Sequence, residues 1–96
     1  MTLDEFQETL RADALPGDLT PLLEALWHDA RGDWEAAHRV TQDLSGADAA
    51  WLHAYLHRKE GDLDNADYWY RRAERQRPGI PLAEEWQSLA AAFTDP

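Results

Sequence analysis

A chain of 96 residues, 44% of them apolar, is long enough for one hydrophobic core and too short for two, so a single domain is expected. Nineteen acids against nine Lys and Arg give a formal charge of −10, which excludes a general nucleic-acid binder because neutralising phosphates needs bases in excess. The chain has no cysteine, hence no disulfide framework, and no apolar run near the ~20 residues of a membrane span; its acidic start does not resemble a signal peptide, so the expected location is cytoplasmic with no membrane partner.

The helices can be read from their punctuation. The first is expected from Leu3 to about Ala14, with Thr2 and Glu5 as a capping box and Pro16-Gly17 ending it. Thr20-Pro21 reads as an N-cap followed by proline at the first helical position, opening a second helix that stops at Gly32. Asp33 caps a third, with Trp34, Ala37, Val40, Thr41 and Leu44 on its inner stripe and Ser45-Gly46 closing it. The fourth, about Asp48 to Glu60, is apolar nearly all round and belongs at the centre of the domain. Gly61-Asp62 turns the chain into a fifth helix, whose inner face should hold Leu63, Ala66, Trp69, Tyr70 and Ala73 and which Pro78-Gly79 should end. In the last helix Leu82, Trp86, Leu89, Ala90 and Phe93 keep a clean helical period. No segment alternates with period two for long enough to be a strand. The fold class is therefore all-α, about six short antiparallel helices with short connections.

Two stretches repeat at an offset of 29 residues. Ala25-Leu26-Trp27-His28 through Gly32-Asp33 to Ala37 aligns without a gap on Ala54-Tyr55-Leu56-His57 through Gly61-Asp62 to Ala66. Helix-forming residues repeated around a Gly-Asp turn indicate two stacked helical hairpins, about 20–46 and 48–78, flanked by capping helices at 3–14 and 82–93.

The second copy resembles the tetratricopeptide repeat. That family places a small residue in the first helix, Gly-Asp at the turn, then Ala, an aromatic, Ala and Pro; here those positions read Ala54, Gly61-Asp62, Ala66, Tyr70, Ala73 and Pro78. The first copy matches in part, with Thr41 and Leu44 in place of the aromatic and the second Ala. The offset is shorter than the family's usual 34, which implies repeat-like hairpins and no regular superhelix. The stretch from His53 to Asp62 is also similar to a group of small bacterial proteins and implies no activity. What the tetratricopeptide resemblance implies is a scaffold that binds a peptide or protein.

Candidate chemistry is sparse. There is no Gly-rich phosphate loop, no nucleophile elbow and no His-Glu-x-x-His helix, and the pairs Asp4-Glu5 and Glu84-Glu85 are adjacent and point to different faces, so no catalytic residue is assigned. His53 and His57, one helical turn apart, have the spacing that places two imidazoles on one metal; the third ligand would come from His28, His38 or a carboxylate on a facing helix. The plainer reading of His28 and His57, at matching repeat positions near helix C-termini, is structural: the dipole there favours a donor or cation, and the ring can reach the exposed carbonyls or the Asp33 and Asp62 caps. No metal and no cofactor are therefore assigned.

Charge points to a surface. Residues 1–30 carry seven acids and one base, whereas six of the nine bases fall between Arg58 and Arg77. Tyr68, Arg71, Arg72 and Arg75 should share the outward side of the fifth helix, where guanidinium groups suit an acidic peptide, a phosphate or a carboxylate. These four, with His53 as a neighbour, are the expected partner-binding residues. The plain alternative is a solvated face with pairs such as Asp67–Arg71, Asp64–Arg71 and Arg72–Gln76. If any of the five tryptophans is exposed, a homodimer pairing through it is a further option.

Overall fold

In a computed structural model describing residues 1–96, six helices follow one another without a strand: α1 Leu3–Thr9, α2 Pro21–Ala30, α3 Trp34–Gln42, α4 Ala47–Glu60, α5 Leu63–Arg72 and α6 Leu82–Phe93. The all-α expectation holds, and α2–α3 and α4–α5 are the two hairpins. None of the helices is long and apolar enough to cross a membrane.

The corners of the two hairpins repeat bond for bond. Gly32 and Gly61 adopt φ of +83° and +89°, a region open to glycine and costly for other residues. The amides of Asp33 and Asp62 then reach back to the carbonyls of His28 and His57, at 2.9 and 3.0 Å. Their side chains turn forward and accept from the amides of Ala36 and Asn65, so each Asp ends one helix and caps the next.

Three helix ends differ from expectation, each for a local reason. α1 stops at Thr9, short of Ala14, and the carbonyls beyond it are taken by α2: Trp27 Nε1 donates to Thr9 at 3.0 Å, and Arg31 donates to Leu10 and Ala12 at 3.1 and 2.7 Å. α3 stops at Gln42, before Ser45-Gly46. α5 stops at Arg72, well before Pro78, because Glu74 takes φ of +58° and the Arg75 amide closes onto the carbonyl of Tyr70 at 2.9 Å.

α4 is the hub. Its residues Ala49 to His57 are all buried, and it packs on α2, α3, α5 and α6. α6 lies across α2 and α4: Trp86 stacks on Phe6 with ring centroids 5.8 Å apart and donates to the carbonyl of Leu26, while Trp51 meets Phe93 edge-on. One cluster of 18 buried residues forms the core. Trp27, Trp51 and Trp86 are buried, and Trp34 and Trp69 are half-buried. Leu63 departs from its expected inward position and is 43% exposed. Its repeat counterpart Trp34 is covered by α4 of the following hairpin, donating to the Leu56 carbonyl at 2.7 Å, and no third hairpin follows to cover Leu63.

Candidate functional site

Three clusters of polar side chains join different helices, and their chemistry separates them. Glu85, on the inner stripe of α6, is 1% exposed. It accepts from Tyr70 Oη at 2.7 and 2.9 Å, from Trp51 Nε1 at 3.2 Å and from Arg58 at 2.8 Å. Arg58 also donates to the carbonyl of Ile80, which ties the segment before α6 to α4. Asp29, 2% exposed, accepts from Tyr55 Oη at 2.7 Å and from Lys59 Nζ at 2.9 Å, joining α2 to α4. Burial pushes both tyrosine hydroxyls up, reinforced by the Asp29 charge at Tyr55 and by the hydrogen bond to Glu85 at Tyr70. Both phenols stay protonated as donors. Charge and donors match in each cluster, which is what a buried carboxylate retained for structure requires. Neither residue stood out in the sequence, although Glu85 falls one turn before Leu89 on the apolar stripe and Asp29 interrupts an apolar run.

The third cluster is built from imidazoles. His53 and His57 lie one turn apart on α4, and His38 of α3 faces both across the seam between the hairpins. The three ring centroids form a nearly equilateral triangle with sides of 5.0, 5.0 and 4.9 Å. Nε2 of His38 and Nε2 of His53 are 3.2 Å apart. His57 turns Nδ1 to Glu60 Oε1 at 2.7 Å, and in the neutral tautomer with Nδ1 as the N–H donor the lone pair is on Nε2. Trp34 stacks on His38 at 4.7 Å and Trp69 on His53 at 4.0 Å, fixing both ring planes from outside. Burial lowers the basicity of His38, and the neighbouring His57 lowers it further. His53 is depressed more, to about 4, by burial and then by His57 and His38. Both rings are neutral at pH 7. No fully buried side-chain nitrogen or oxygen lacks a partner, so the ring nitrogens without a hydrogen bond, His57 Nε2 among them, are ones that solvent reaches.

The structure thus brings together His38, His53 and His57. It leaves His28 apart, half-buried with its ring edge-on to Trp27. The structural role expected of His57 takes another form, since its ring bonds Glu60 and the Asp62 carboxylate is spent on the Asn65 amide.

The expected partner-binding residues divide between two sides of α5. Tyr68, 45% exposed, and Arg72 form one unit: Arg72 donates to Tyr68 Oη at 3.1 Å, and its guanidinium sits 5.3 Å from the Trp69 ring centre. Arg71 and Arg75 line a separate groove with Asp67, Tyr70, Gln76 and Arg77, and the Arg75 guanidinium lies 3.6 Å from the Trp51 ring centre. His53 is 7% exposed and shares a groove of about 290 Å³ with Trp69 and Arg72, so of the four it adjoins Arg72. The pairs Asp67–Arg71, Asp64–Arg71 and Arg72–Gln76 do not form; Asp67 pairs with Arg77 at 3.2 Å. Arg71, Arg72 and Arg75 have no carboxylate within ion-pair distance.

No protein-family model, curated protein or solved structure matches this chain in comparisons with known proteins.

Proposed function

We propose that this chain is a cytoplasmic, tetratricopeptide-like helical module that binds an acidic protein or peptide segment through the outer side of α5 and the turn after it. The observation that carries the reading is the state of three arginines. In a chain with nineteen acids and nine bases, Arg71, Arg72 and Arg75 form no ion pair, Arg72 lying beside Tyr68 and the other two in the groove that Asp67 also lines. Unpaired, exposed guanidinium groups beside an exposed tyrosine are the residue types that interfaces favour, and they suit a carboxylate bidentately. α6 packs on α2 and α4, and Tyr68, Arg71 and Arg72 of α5 are exposed. No enzymatic step is proposed.

The test is an array of acidic peptides and their Asn/Gln counterparts, probed with wild type and with Tyr68→Ala/Arg71→Ala/Arg72→Ala. The reading predicts retention by acidic peptides only, weakened by added salt and lost in a triple variant that melts at the wild-type temperature. Equal retention by wild type and variant would contradict it.

A further inference from the structure

We propose that His38, His53 and His57 form a binding site for one divalent transition-metal ion, with zinc the best match, which joins the two hairpins across their seam. The first argument is geometric. Around a tetrahedral ion with metal–nitrogen bonds of about 2.0–2.1 Å, ligand nitrogens lie about 3.4 Å apart and imidazole centres about 5.2 Å apart. The observed values are 3.2 Å between Nε2 of His38 and His53, and 5.0, 5.0 and 4.9 Å between ring centres. One nitrogen from each ring lies within 4.8 Å of the others.

The second argument is support. The Glu60 carboxylate on His57 Nδ1 is the partner that metal-bound histidines characteristically have: it fixes the tautomer, aims Nε2 and strengthens it as a donor. Stacking on Trp34 and Trp69 holds the other two rings. Three nitrogen donors select zinc, copper, nickel or iron over magnesium and calcium, which take oxygen. A fourth position remains for water or an outside ligand, as in zinc sites with three histidines.

The competing account is a single N–H···N hydrogen bond between His38 and His53. It explains one edge of the triangle, and the one-turn spacing on α4 explains the His53–His57 edge; the His38–His57 edge of 5.0 Å and the Glu60 carboxylate on His57 Nδ1 are left to the metal account. Placing His38 on α3 and the other two on α4 means that a bound ion would bridge the hairpins. This inference does not depend on the partner surface above it.

The experiment is a titration of untagged, chelator-treated protein with Co²⁺ followed by displacement with Zn²⁺. Wild type and His28→Ala should bind one equivalent with the visible bands of four-coordinate cobalt, and zinc should remove them. His53→Phe keeps a ring on Trp69 and should weaken binding at least about 100-fold; Glu60→Gln, at the surface, should weaken it about 10–100-fold. Because the histidine variant can fail to fold, the ring ¹H–¹⁵N spectrum of wild type serves as a second readout: zinc should move His38, His53 and His57 and leave His28 in place. Absence of a one-to-one complex, unchanged affinity in folded His53→Phe, or movement of fewer than these three rings would overturn the site.

Discussion

Glu85 and the histidine triangle are both buried polar clusters that join separate helices, and they are built on opposite logic. Around Glu85 every contact is between unlike groups: carboxylate with guanidinium, carboxylate with phenol, carboxylate with indole N–H. Around His53 the contacts are between like groups, three imidazoles facing one another with a single carboxylate at the edge. A cluster whose donors and acceptors match internally needs nothing from outside. One assembled from imidazoles has nitrogen donors close enough together to hold a cation.

The comparison breaks most sharply at Glu85. Glu85→Ala strips the partner from Arg58, Tyr70 and Trp51 at once, and should cost about 3–5 kcal/mol in urea unfolding. A loss below about 1 kcal/mol would show that the carboxylate cluster is not what holds α6 in place.

Acid should act on the other cluster. The unfolded His53 takes up a proton near pH 6.5 and the folded one only at about 4, so the unfolded state binds more protons as the pH falls between those values. Stability that is complete above pH 6.5 is lost below it, by about 2 kcal/mol at pH 5. The groups facing His53 are His38 on α3 and His57 on α4, with the Arg72 guanidinium over Trp69 on α5. His53→Phe should flatten the dependence of the denaturation midpoint on pH; an unchanged slope would contradict the assignment.

The helix ends sharpen the contrast between the hairpin corners and the exit from α5. Gly32 and Gly61 occupy the left-handed turns of the first two, whereas Glu74 occupies the third at φ of +58°. Glu74→Gly should relieve about 1 kcal/mol and raise the thermal midpoint by about 4–8 °C. At the small end, Arg71→Ala/Arg72→Ala should change stability by less than about 0.5 kcal/mol per site, because neither side chain has an ion pair to lose.

Helix content, the Gly-Asp corners and the central place of α4 were legible because each is written locally, in caps, glycines and periodicity. The ends of α1 and α5 were not. Trp27 and Arg31 take carbonyls across a tertiary contact, and Glu74 adopts a conformation that its residue type does not announce. Two of the three members of the histidine cluster were visible in the spacing of His53 and His57. The third member depends on how α3 packs on α4, which sets His38 and not His28 across the seam. The tyrosine–arginine surface was legible as a composition and not as a unit, since the helical rotation that exposes Tyr68 and Arg72 turns Arg71 and Arg75 to another groove.

The most direct test of the contrast between the two clusters is the thermal midpoint of wild type, Glu85→Gln and His53→Phe, each in excess chelator and in excess zinc. A ligand that binds only the folded state at 100 times its dissociation constant adds about 2.7 kcal/mol, or upwards of about 10 °C for a chain of this size. The account predicts that rise in wild type and in Glu85→Gln, whose starting midpoint is lower, and none in His53→Phe. No rise in wild type, or an equal rise in all three, would contradict it.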